Sequence, residues 1–448
     1  MTSACPALRL PLGVVSVLLL AVALLVVGCG EEQLLSPDAP DARFDRYVAL
    51  GNSVTAGYQS RGINQETQSE SFAVRVAAQM ETRFRVPTLR MPGCPPPLTN
   101  LYTGARVGGA GAASCALRSS PVPTTLNNVA VPGAQVIDAV NNGAASANPN
   151  ELTTLFLGGR TQVEAATAVQ PTFASVWIGD NDVLLPALRG DTTGITAQAD
   201  FEARYTQMID SLEAAGADES GIMIGVPNET YIPHFSPGAS YFFAKQAGGL
   251  PPSFSVADNC APTAMGGVGD QMRVSLVYGF EALLTVAQEG AQVTLDCEDN
   301  RPLSEILEPT FGNQLPERLQ PIADYSILTG DELQVIVAAA QGYNAFIKAL
   351  ADARNWAYLD PNGVLGPLYA ANASDPDPTN DLVPKFPITP TAETPNPDAF
   401  GRFFSLDGVH PSAALHRILT NRVVQEVNDT YGTSLPQIEA SDVPALLQ

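Results

Sequence analysis

Short apolar runs alternate along the chain with stretches whose apolar residues recur every three or four positions. RYVAL (46–50), NNVAV (127–131), FASVWIG (173–179), GIMIGV (221–226) and WAYLD (356–360) read as buried strands. SFAVRVAAQME (71–81), FEARYTQMIDSLEAAG (201–216), ELQVIVAAAQGYNAFIKALADAR (332–354) and ALHRILTNRVVQEV (414–427) read as amphipathic helices. Strand and helix in alternation predict right-handed crossovers and a parallel sheet covered on both faces. Two regions break the rhythm. Residues 92–126, rich in Pro, Gly and Ser, read as a long loop. Residues 228–330 hold many aromatics and one helical stretch, MRVSLVYGFEALLTVAQEG (272–290), and read as an insertion over the sheet's carboxyl edge.

The first residues follow another pattern. Arg9 precedes a Leu/Val/Ala run through Val27, then Gly28 and Cys29, the layout of an export signal ending in small residues. The segment VVGC resembles a bacterial lipobox, which implies a lipidated Cys29 at a new N-terminus after residues 1–29 and attachment of the exported protein to a membrane. A permanent membrane-spanning anchor is the alternative, because the run is nearly long enough to span. Residues 30–44, with Pro37 and Pro40, read as a tether that would reach on the order of 20 Å as flexible coil. A single domain is expected over 45–448.

Composition narrows the partners. The 46 acidic and 23 basic residues give a net charge of −23, and the lysines are Lys245, Lys348 and Lys385. Such a surface disfavours nucleic acid, a polyanion. Cys5 leaves with the signal, and Cys94, Cys115, Cys260 and Cys297 remain in an exported body, which points to disulfides. Of the three connectivities, Cys94–Cys115 with Cys260–Cys297 closes the smallest loops. The absence of any CxxC pair and a count of three histidines argue against a metal site, and no cofactor is implied.

Chemistry concentrates in turns that follow strands. GNSVTAG (51–57) puts Ser53 just past the first strand, where ligands of open parallel sheets bind, although a serine there also serves as an ordinary helix cap. A serine nucleophile needs a base. His410, in SLDGVHPS (405–412), has Asp407 three residues ahead, able to accept from Nδ1 and leave Nε2 facing the serine. Asp407 also has a plain reading as a turn residue, His416 as a helix-surface residue and His234 as a loop or lid residue. In VWIGDNDVL (176–184), Gly179 permits close backbone approach and Asn181 can aim its amide at an oxyanion. In VAVPGAQV (129–136), Gly133 offers a backbone N–H.

These four turns, in this order, resemble the blocks of the SGNH, or GDSL, hydrolase family. GNSVTAG matches GDSxxxG with Asn52 in place of the aspartate, Gly179-Asp180-Asn181-Asp182 matches GxND, and Asp407 to His410 matches DxxH. The resemblance implies a flavodoxin-like three-layer α/β/α fold, here with a disulfide-stapled insertion. It implies Ser53 as nucleophile, His410 as base, Asp407 as its orienter, and an oxyanion hole from the N–H groups of Ser53 and Gly133 with the Asn181 side chain. It implies no metal and an ester substrate: an acyl lipid, a short-chain ester or an acetylated glycan. Tyr231, Phe235, Tyr241, Phe242, Phe243 and Phe254 would suit an acyl chain or form the insertion's own small core. A lipoprotein that keeps the fold and only binds glycan or lipid is the competing reading.

Overall fold

The computed structural model describes residues 41–101, 103–109, 118–374 and 400–439. Cys29 and the signal segment lie outside these residues, as does all of the expected tether before Asp41. The described chain begins at Asp41, ahead of the expected domain start at residue 45. A short 3₁₀ turn, Ala42–Phe44, buries Phe44, whose ring meets Phe173 edge-on at 5.2 Å.

Four strands form the central parallel sheet: β1 (Tyr47–Gly51), β2 (Phe173–Trp177), β3 (Gly221–Ile224) and, after four insertion strands, β8 (Ala357–Leu359), in the order β1-β2-β3-β8. Every residue of β1, β2 and β3 is buried, as a parallel sheet covered on both faces requires. The register runs from Tyr47 beside Phe173 to Gly51 beside Trp177. The expected strand 127–131 is reduced to a single parallel bridge between Asn128 and Ala49. Ala49 N–H donates to Asn127 O at 2.7 Å and Val129 N–H to Ala49 O at 2.9 Å. Val131 N–H continues the ladder to Gly51 O at 3.2 Å, and side chains add to it: Asn127 Nδ2 donates to Tyr47 O, and Asn128 Nδ2 turns to Thr55 O. Counting this segment, strands lie in the order 2-1-3-4-5, and the order reverses between β1 and β2, where open α/β sheets bind ligands.

Helices α1 (Ser53–Ala56), α2 (Phe72–Gln79), α3 (Val136–Val140), α4 (Gln162–Thr167), α5 (Asp180–Arg189) and α6 (Gln198–Ala215) precede the insertion. Helix α7 (Gly238–Gln246) lies within it, and α8 (Gly330–Ala353), α9 (Asn362–Ser374) and α10 (Ala413–Tyr431) follow. Helices α2 and α10 pack together on one face of the sheet, whereas α3, α4, α6 and α8 cover the other. The outcome is the three-layer α/β/α fold. Thr329 opens α8 with a capping box, its hydroxyl accepting from Glu332 N–H while Glu332 reaches back.

The insertion carries two small sheets, antiparallel β4 (Phe235–Pro237) with β6 (Arg273–Ser275), and parallel β5 (Phe254–Val256) with β7 (Val293–Leu295). The expected helix over 272–290 therefore starts late. Residues 273–275 pair as strand, and a π-helix over Val277–Leu284 runs into Thr285–Gln288. Cys260 and Cys297 are bonded. Cys94 is also in a disulfide, and its expected partner Cys115 lies outside the described residues. Tyr241 and Phe254 are buried and stacked at 6.1 Å, and Phe235 is buried too, so these aromatics form the insertion's own core. Among the described residues no helix is long and apolar enough to cross a membrane.

Candidate active site

The loops at the carboxyl ends of β1, 127–131 and β2 meet the 405–412 turn around one cavity of about 520 Å³, lined by Ser53, Gly133, Asn181, Asp407 and His410 together with Tyr58, Arg61 and His234. A larger hollow of about 730 Å³, near Arg43, Lys348 and Tyr431, lies at the amino ends of the strands and contains neither a serine nor a histidine. The smaller cavity is the candidate.

Ser53 is the first residue of α1, and Asn52 caps that helix, its Oδ1 accepting from Val54 N–H at 2.9 Å. The other end of the amide explains how the turn works without the aspartate of the GDS pattern. Asn52 Nδ2 donates to Asp180 Oδ2 at 2.7 Å, and Asp180 Oδ1 accepts from Trp177 Nε1 at 3.2 Å. The carboxylate expected beside the serine has moved to the third turn, and burial pushes the Asp180 carboxyl up to about 7. Strand β1 is pinned at its end by Gln162, which both accepts from Gly51 N–H and donates to Gly51 O at 2.8 Å.

Asn181 lies in the first turn of α5. Its cap, Gly179, has φ 124°, and a Cβ there would meet Phe201 and Val226 at 2.9 Å, so this turn takes only glycine. Asn181 Nδ2 donates to Ala134 O at 2.9 Å, which ties α5 to the Gly133 turn. An amide has two N–H donors, and this bond uses one. Asp182, also buried, accepts from Val136 N–H and Thr196 Oγ1 and braces the same loop. The backbone N–H groups of Ser53 and Gly133 have no hydrogen-bond acceptor among the described residues.

The 405–412 turn is built around the Asp407 carboxylate. It accepts from His410 Nδ1 at 2.8 Å, from the N–H groups of His410 (2.9 Å), Val409 (3.0 Å) and Arg61 (2.8 Å), and from Ser405 Oγ (3.1 Å). Burial alone would raise its pKa. The adjacent His410 and this set of donors outweigh burial and hold Asp407 well below the usual carboxylate range. His410 thereby has Nδ1 committed and Nε2 available, with the Tyr58 ring 5.0 Å away. Ser53 and His410 face the same cavity but are not hydrogen-bonded to each other.

Of the other two histidines, His416 differs from the plain reading of the sequence and His234 does sit in a turn. His416 is not on a helix surface: it is fully buried between α10 and α2, Nδ1 accepting from Phe72 N–H at 3.2 Å, and burial lowers its pKa to about 3. His234 is buried at the cavity wall, Nδ1 bonded to Asp407 O at 2.8 Å, its pKa lowered by burial to about 4. It joins the insertion to the 405–412 turn, and the ion pair of Arg61 with Glu281 on the π-helix joins the insertion to the loop after α1, whose Arg61 N–H meets Asp407. No motif or spacing pointed to Tyr58, Arg61 or the Asn52–Asp180 bond. Among the described residues no group of three or more His, Cys, Asp or Glu is placed to hold a metal ion.

No family model and no curated protein matches the chain. Among solved structures, a point mutant of Axe2, an acetyl-xylooligosaccharide esterase from Geobacillus Stearmophilus, is similar over 90% of this chain and 100% of that one, with 11% identity and a TM-score of 0.35. A likeness that loose assigns no residue a role.

Proposed function

We propose that the chain is a serine ester hydrolase of the SGNH type. The observation that carries this reading is one cavity holding Ser53, Asn181 and Gly133 beside a His410 whose Nδ1 is bonded to Asp407 at 2.8 Å. Ser53 Oγ attacks the ester carbonyl as His410 Nε2 takes its proton. The oxyanion is met by the N–H groups of Ser53 and Gly133 and by the free N–H of Asn181. Collapse breaks the ester C–O bond, and His410 returns the proton to the leaving alcohol. Water, deprotonated by His410, then releases the acid and restores Ser53. Asp407 stays ionised throughout and holds the imidazole in the tautomer the first step needs.

A binding protein that keeps the fold is the second reading, and the lack of a Ser53–His410 hydrogen bond favours it. Five donors on one buried carboxylate argue for catalysis, since a binding cavity has no use for a fixed imidazole tautomer. Bonds between nucleophile and base are often long before substrate enters. We propose further that the protein is exported and held at a membrane by lipid on Cys29, a reading that rests on residues 1–29 alone. Acyl lipids, short-chain esters and acetylated glycans are the substrate classes in view. Hydrolysis of p-nitrophenyl esters that disappears in Ser53→Ala supports the enzyme, and turnover that survives in that variant rules it out.

A further inference from the structure

Helix α5 is apolar on two faces, one sunk in the core and one that lines the cavity. Val183 and Ala187 point into the core and are 0% and 1% exposed. Leu184, Leu185 and Leu188 lie on the other side, in phase with Asn181, and all four line the cavity. At about 100° per residue these positions fall within one arc of about 100°. Leu185 and Leu188 are only partly buried. Leu184 is buried with the core and Leu188 rests against its edge, but Leu185 and Leu188 keep part of their apolar surface open on the cavity side. Val277, from the π-helix of the insertion, closes the same side of the cavity.

We infer that this face is the acyl-binding wall and that the substrate is an ester of a medium-length fatty acid, not an acetyl ester. The inference rests on the hydrolase reading above, because it places the scissile carbonyl at Asn181. From there the acyl chain runs along α5 past Leu184 and Leu185 to Leu188. Seven residues of helix separate Asn181 from Leu188, about 10 Å at 1.5 Å per residue. An extended chain advances about 1.2 Å per bond, so the wall matches roughly eight carbons. An acetyl group would leave Leu185 and Leu188 exposed to water.

The test uses the full chain and p-nitrophenyl esters from two to sixteen carbons. The expected kcat/KM rises by up to about fourfold per methylene, the ratio that corresponds to burying one CH₂, to a maximum near eight carbons. Leu188→Trp, which fills the far end, should move the maximum toward four carbons and lower the ratio of eight-carbon to acetyl-ester kcat/KM at least tenfold. Leu185→Asp should weaken the eight-carbon ester at least tenfold more than the acetyl ester. Both positions are partly exposed, and a thermal melt checks folding. Ser53-dependent activity that peaks at the acetyl ester, or a maximum that neither variant moves, overturns the acyl wall and leaves the hydrolase standing. A binding arm separates the converse case. Octanoate that binds more tightly than acetate by calorimetry, and less tightly to Leu188→Trp, supports the wall even if no ester is cleaved; equal binding of both anions counts against it.

Discussion

Two side chains that meet across 128 positions of sequence, Asn52 and Asp180, hold the proposed nucleophile by one hydrogen bond of 2.7 Å. The arrangement requires one amide and one carboxyl. Asn52→Asp sets two carboxyls against each other, one of which must then keep a proton, and Asp180→Asn leaves an amide to meet two donors. Each single change should lower kcat roughly 10- to 100-fold by displacing Ser53, and the double exchange should recover most of the loss. Additive losses in that cycle would mean that the bond does not orient the serine. Asn181→Ala should cost roughly 10²- to 10³-fold in kcat with KM little changed, the effect of one lost oxyanion donor; unchanged kcat removes it from the site. Ser53, His410 and Asp407 should act as a unit. His410→Ala in a Ser53→Ala background should cost almost nothing further, since the step it serves is already gone, and Asp407→Asn should be milder than either single change. Independent losses in kcat/KM would break the proposed triad.

At the scale of elements, His416 joins α10 to the first N–H of α2. Its neutral imidazole fills the role of a helix cap, and His416→Leu should cost about 1–3 kcal/mol by stranding the Phe72 N–H in the interior. The folded pKa of about 3 lies below the unfolded value near 6.5, so the unfolded chain takes up the proton first as pH falls. The stability that His416 contributes is therefore complete above about pH 6.5 and lost progressively toward pH 3. The gap in Tm between parent and variant should narrow across that window, and a constant gap would exclude the mechanism. Here the sequence was least legible. His416 sits in the first turn of α10, six positions past His410, and periodicity cannot say that α2 covers it. The four full strands were legible because a sheet buried on both sides writes unbroken apolar runs. The 127–131 segment misled for a local reason: Asn127 and Asn128 use side-chain amides where a longer ladder would use backbone. Of the candidate site, residues in turns with fixed spacing were legible, and Tyr58, Arg61 and Asp180, which act through distant partners, were not.

For the molecule as a whole, buried acids under the sheet's carboxyl edge set the response to pH. Glu229 is buried, with Oε1 unpartnered among the described residues, and burial, with help from nearby Asp180, raises its carboxyl well above the ordinary value. The folded state keeps a proton that the unfolded chain releases near pH 4, so this group costs stability increasingly as pH rises. Glu229→Gln should melt with the parent at pH 5 and above it at pH 9; equal gaps at both pH values would show that the carboxyl ionises without penalty. The same edge also has an orientation. The described chain starts at Asp41 beside the amino ends of the strands, whereas the cavity opens at their carboxyl ends, about 17 Å away along β1 at 3.3 Å per residue. If Cys29 carries the proposed lipid, the anchor would pull on the sheet's floor from upstream of Asp41. A chain held that way turns its mouth outward, so its substrate would arrive from the compartment beyond and not from the bilayer that holds it.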